Sequence, residues 1–152
     1  MRLRDLDLAV GMFPTGPENA ITDVSGVSVG HAQASSVATG LTAVNPFDVS
    51  DPHRTYVGRW ALDGGDDATG LGLAEDFGAL STPLVLAPAA SVGRVYDAMI
   101  QLGLAIDGGL PEDRGWPPAV LPVTGIGQPA AAVRAAIDDD LVAAALHSAT
   151  RA

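Results

Sequence analysis

Three observations make this chain an α/β domain, with mixed layers of the α+β kind. Short apolar runs bounded by glycine and proline fill its first half, which is the chemistry of strands. An apolar stripe at helical spacing over 92–105 and an alanine-rich carboxy-terminal stretch supply helices. The elements come as strands first and then strand–helix twice, so sheet and helices must pack as layers rather than as a bundle. With 152 residues, 47% of them apolar, a single domain over 1–152 with a proper core is expected.

Each element has its own local reason. In 14–31, PTGPENAITDVSGVSVGH, the prolines at 14 and 17 exclude regular structure at the start. Ile21, Val24, Val27 and Val29 follow around Gly26, a pattern that fits a hairpin or bulged strand over 21–33. TGLTAVNP at 39–46 reads as a second strand, and 47–55 (FDVSDPHRT) as a loop. YVGRWAL at 56–62 reads as a third strand and runs into DGGDDATGLG, a loop of glycine and aspartate; a short helix is expected over 73–80. The apolar run 83–88 between prolines reads as a buried strand.

The best helix is 92–105, where Val92, Val95, Met99 and Leu102 share one face and Ser91 is available as its N-cap. A Pro/Gly-rich loop at 107–118 leads into a strand at 118–124, PAVLPVT. The end is helical, PAAAVRAAI and then LVAAALHSA. The aspartates 138–140 between them suit the positive end of a helix dipole.

Composition excludes several functions. The formal charge is −10, with eight scattered arginines and no lysine, so a phosphate backbone would be repelled and nucleic-acid binding is not expected. No apolar run is long enough to span a membrane, and MRLRDLDLAVGMF lacks the apolar core of a secretory signal. A cytoplasmic location is the default that follows. The absence of cysteine removes disulfides, thiolate catalysis and thiolate-ligated metals.

The candidate chemistry is concentrated at 63–67, DGGDD. A carboxylate on a glycine-rich loop can bind an ammonium group, although glycine and aspartate also make ordinary solvated turns. A calcium loop is excluded by the missing ligand spacing and terminal glutamate. Ser91 opens a helix and can offer a hydroxyl to an anionic group, or simply cap the helix; no base stands near it in sequence to make it a nucleophile. His31, His53 and His147 have no ligand-like spacing, so no metal site is expected.

The stretch at 14–31 closely resembles the start of the L-aminopeptidase/D-esterase family, the β-peptidyl aminopeptidases. Further resemblances follow in the family's order: TGLTAV at 39–44, DGGDDATG at 63–70, TPLVLAPAASVGRVYDAMI at 82–100 and, more loosely, PPAVLPV at 117–123 and LVAAAL at 141–146. The resemblance implies part of a four-layer αββα sandwich similar to that of N-terminal-nucleophile hydrolases. It also implies a precursor that cuts itself before a Ser or Thr, which then serves as nucleophile with its own α-amine as base. The product would be an N-terminal amino acid released from a small peptide, amide or ester, with no metal or organic cofactor.

By position, Asp67 matches the carboxylate that in this family binds the substrate's free amine, and Thr69 and Ser91 would shape the pocket beside it. No residue of 1–152 matches the nucleophile, so none of them is assigned a catalytic role. Two departures stand out. The position expected for a pocket tyrosine finds Phe77 or Leu80, neither of which can donate a hydrogen bond, and the asparagine of an oxyanion hole is missing near VTGIGQP. The resemblance therefore implies the α-like portion of an aminopeptidase whose β-like portion lies elsewhere. The alternative is a truncated or repurposed relative that binds an amine-bearing ligand or a protein partner without catalysis. Either way the strands should leave open edges and an uncovered apolar face, to be met by a β-like subunit or by self-association.

Overall fold

The computed structural model describes residues 3–8, 10–46, 55–62, 68–106, 108, 118–124 and 127–150. In chain order the strands are β1 (Ser28–Ala34), β2 (Thr39–Asn45), β3 (Thr55–Tyr56), β4 (Ala79–Leu80), β5 (Leu84–Pro88) and β6 (Ala119–Val123). The helices are α1 (Leu71–Phe77), α2 (Val92–Ile106), α3 (Ala130–Ala136) and α4 (Asp139–His147). The main sheet has the order β1-β2-β5-β6. Its first three strands are antiparallel, and β5 and β6 are parallel, joined by a crossover that contains α2. The mixed layers expected from the sequence are present.

Period-two alternation assigns each side chain to a face. Leu41, Ala43, Val85, Ala87 and Val120 point to one side, where they meet Val95, Ala98 and Met99 of α2, Val142 and Ala145 of α4, and Ile137. Burying each of the larger side chains contributes about 1.5–3 kcal/mol, so this layer carries most of the stability. The other face has Val29, His31, Gln33, Thr42, Val44, Leu84, Leu86, Ala119, Leu121 and Val123 in matching register. One end of it, at Leu84 and Ala119, is covered by α1 and β4 through Leu71, Ala74 and Leu80. Val29, Val44, Leu86 and Leu121 stay only half-buried. No carboxylate stands at any of these positions, in a chain with eighteen Asp and Glu.

Both sheet edges are partly closed by single bridges rather than strands. Val29 on β1 exchanges backbone hydrogen bonds with Thr150, and Thr69 bridges to Val120 on β6. That blunts edges that would otherwise pair with another chain.

The structure departs from the sequence reading at several elements. Residues 21–23 form a 3-10 turn instead of strand, because the Asp23 carboxylate accepts from the backbone N–H of Glu18 (3.0 Å) and Ala20 (3.1 Å) and closes the loop locally. Regular pairing begins at Ser28. The third strand shrinks to two residues, since β4, its partner, is itself only two residues long. The helix expected over 73–80 starts and stops earlier, at 71–77, because Gly78 adopts a left-handed conformation and terminates it. At α4 the expectation holds: the Asp138 carboxylate accepts from the Leu141 N–H at 2.9 Å, with Asp139 and Asp140 in the first turn.

No helix among the described residues is long and apolar enough to cross a membrane.

Candidate functional site

The sequence points to three residues, Asp67, Thr69 and Ser91. Asp67, with the rest of DGGDD at 63–67, lies outside the described residues. Thr69 follows that stretch by two residues in sequence, and it is held firmly. Its N–H donates to the Val120 carbonyl at 3.0 Å. Its hydroxyl accepts from the Val120 N–H at 3.1 Å and donates to the Val120 carbonyl at 3.3 Å. Backbone and side chain together satisfy both outward-facing groups of Val120, which would otherwise sit unpaired on the strand edge. Gly70 follows at φ +74, a left-handed turn that suits glycine, and α1 begins directly after it.

Ser91 sits at the other side of the same strand pair. It ends a 3-10 turn, Ala89–Ser91, that follows β5, and Pro88 at the end of β5 stands opposite Val123 of β6. The side chain is fully buried and its Oγ has no hydrogen-bond partner. Ser91 therefore does not cap α2 with its hydroxyl. The first amide of that helix, on Val92, is already bonded to the Ala89 carbonyl by the preceding turn. Above this turn packs α3, and Arg94 of α2 donates to the Ile137 carbonyl at 3.0 Å, tying the two helices across it.

Thr69 and Ser91 are thus both organised around β6, one at Val120 and one at the level of Val123. Three strand residues, about 10 Å, separate those levels. The carboxy ends of parallel strands are where open α/β sheets place their ligand sites, and Ser91 lies at that end while Thr69 lies toward the amino end of β6. Phe77 is an exposed residue at the end of α1, while Leu80 is buried against Ala74 and Ala119.

Two further polar residues were not singled out by the sequence. Asn45, at the end of β2, and Thr82, just before β5, are buried with Oδ1 and Oγ1 unpartnered. The register that puts Val44 opposite Leu84 brings them to one end of the sheet. The visible signal was a polar residue terminating an apolar strand, which is too common to single out.

On the helix side, a cleft of about 790 Å³ is lined by Gly93, Arg94 and Asp97 of α2, Arg134 of α3 and the aspartates 138–140. Neither Thr69 nor Ser91 lines it, although Arg94 borders both the cleft and the turn that ends in Ser91. His31 places Nδ1 3.0 Å from the Thr42 hydroxyl on the open face, and His147 ends α4; His53 lies outside the described residues. Among the described residues, no three His, Cys, Asp or Glu gather into a group able to hold a metal ion.

Comparison with known proteins adds the following. The model of peptidase family S58 matches residues 19–151. A β-peptidyl aminopeptidase, BapA, from Sphingosinicella xenopeptidilytica is 31% identical over 123 residues, which is 74% of this chain and 30% of that protein. Among solved structures, a β-aminopeptidase from Burkholderia sp. superposes with a TM-score of 0.84 at 31% identity, over 99% of this chain and 44% of its own. The L-aminopeptidase D-Ala-esterase/amidase of Ochrobactrum anthropi, a serine aminopeptidase described as a variant of the Ntn hydrolase fold, gives 0.79 at 25% identity over 99% and 45%. The chain spans about a third of the length of the curated relative and under half of each solved one.

Proposed function

The chain belongs to peptidase family S58, with the fold of the corresponding part of the Ntn-hydrolase aminopeptidases, and from that premise we propose that it forms the α-like portion of an N-terminal-nucleophile aminopeptidase. The nucleophile is supplied by the remaining, β-like portion. The enzyme releases N-terminal residues from small peptides, amides or esters through an acyl-enzyme.

One observation carries this reading. The main sheet is closed by helices on one face, and the other is free of carboxylates and carries the half-buried Val29, Val44, Leu86 and Leu121 beside His31, Gln33 and Thr42. That is one helix layer and one sheet layer, half of an αββα sandwich. Apolar side chains gathered on an open sheet face mark a surface for another layer to cover.

Within the site, Asp67 binds the substrate's ammonium, and the loop that carries it is anchored by Thr69 on the edge of β6. In a site closed to water, an ion pair of this kind is strong enough to select substrates with a free amine. Ser91, enclosed beneath α3, shapes the site from behind rather than by contact.

The test is to purify the protein from its native host, measure intact masses and assay chromogenic amides of L-, D- and β-amino acids. A second chain beginning with Ser or Thr, together with turnover, is the expected result. A lone chain of 15.4 kDa without turnover would overturn the proposal and leave a non-catalytic relative.

A further inference from the structure

The segment just ahead of residues 63–67 exposes several large apolar side chains. Tyr56 is 92% exposed, Trp60 81% and Leu62 82%, and Phe77 at the end of α1 is 62% exposed. Scattered single apolar residues on a surface need no explanation; several large ones on neighbouring segments do. Tyrosine and tryptophan are also the side chains that most often anchor interfaces.

The segment that bears them is held in place. Thr55 and Tyr56 pair with Leu80 and Ala79, the Val57 N–H donates to the Gly78 carbonyl at 3.1 Å, and the Thr55 hydroxyl donates to the Pro46 carbonyl at 3.3 Å. Arg59 reaches Glu75 of α1 at 3.5 Å. Val57 packs inward with Leu71, Ala74 and Leu80. The backbone at Tyr56 is fixed by these bonds and so has little ordering entropy left to lose on contact, and the Arg59 side chain ties the stretch that carries Trp60 to α1.

Its position suggests what covers it. The unit made of β3, β4 and α1 sits on the Leu84–Ala119 end of the sheet face opposite α2 and α4, so the exposed strip belongs to the same side as the half-buried Val44, Leu86 and Leu121. Solved relatives contain this arrangement over 99% of the present chain and carry more than half of their own length beyond it. A polypeptide laid on the open sheet face meets the β3–β4–α1 unit at its border. A second copy of this chain is a poorer occupant, since each copy brings a net charge of −10 to the contact.

We propose that Tyr56, Trp60 and Leu62 form a docking strip for the remaining, β-like portion of the same protomer, continuous with the open sheet face. Docking there places that portion against the segment that leads directly into loop 63–67. This rests on the α-like reading given above, which fails independently if the native protein proves to be a lone chain.

The chain has two tryptophans, so Trp116→Phe leaves Trp60 as the sole reporter within it. In the native enzyme carrying that change, with any tryptophans of the other portion replaced by phenylalanine, iodide quenching of Trp60 is compared with the same protein unfolded in guanidinium. The expected result is a quenching constant at least fivefold lower in the native protein. It should stay low when the sample is diluted to single protomers, as checked by sedimentation. Full quenching in an active two-portion enzyme overturns the strip while leaving the α-like reading intact. Protection lost on dilution shows that a neighbouring copy covers Trp60, and this also overturns it. A lone inactive chain removes both.

Discussion

Gly30 of β1 lies directly against the carbonyl of Ala145 in α4. A Cβ built at Gly30 would overlap that oxygen, and it would come within 2.7 Å of Ala149 N and of Ser148 Oγ. The absent side chain is what lets α4 lie this close to the strand. Ser148 then donates to the carbonyls of Ala145 and His31, and Thr150 bridges Val29. The helix layer and the edge of the sheet are locked at one point.

Gly30→Ala should therefore act as an overpacking change with nowhere to relax, since the atoms it meets are mostly backbone. The expected loss is about 3 kcal/mol, the upper end for such changes. It is read as a lower urea midpoint with an unchanged slope. A shift under a third of that size would show that α4 can move off β1 at little cost.

Thr69 tests whether the loop before it depends on its anchor. Thr69→Val keeps the shape but removes a hydroxyl that both accepts from and donates to Val120, leaving that N–H without its side-chain partner. The expected cost is about 1–3 kcal/mol of stability. A several-fold rise in KM for amine-bearing amides should accompany it, with little change in kcat. Thr69→Ser, which keeps the hydroxyl, should restore KM. Equal KM in both variants would separate the anchor from substrate binding.

Ser91 should behave in the opposite way. Its hydroxyl is buried and unpartnered, so it already carries the penalty of an unsatisfied group. Ser91→Ala removes that group with almost no loss of volume, and the expected outcome is a gain of about 1 kcal/mol with KM within twofold of the parent. A large rise in KM would place the hydroxyl in the pocket itself.

How much of this was legible before the structure depends on the kind of signal. The α2 stripe of Val92, Val95, Met99 and Leu102 and the apolar run of β5 were readable because periodicity is a local consequence of burial. The aspartate cap of α4 was readable because it is settled within four residues. The 3-10 turn at 21–23 was not. Its cause is one carboxylate competing for backbone amides, and the apolar spacing of Ile21, Val24 and Val27 masks that. The role of Thr69 was out of reach for a different reason: its partner, Val120, is 51 residues away. Ser91 was legible as a helix start, but the turn that relieves it of capping was not. Local chemistry was visible; what a side chain meets across the sheet was not.

Asp67 carries the last prediction, and it separates binding from chemistry. If its carboxylate holds the substrate's ammonium, Asp67→Asn removes the charge while keeping the shape and much of the hydrogen bonding. Losing one charged partner in a closed site costs about 3 kcal/mol, which is roughly a hundredfold in kcat/KM. The loss should fall on substrates with a free amine and disappear for the same amides acetylated at nitrogen, which are poor substrates of the parent and should be no poorer for the variant. Asp66→Asn, one residue earlier on the loop, is the control and should change kcat/KM less than threefold. Equal losses in both variants would mean that the loop acts through its summed negative charge, with no single carboxylate selecting the amine.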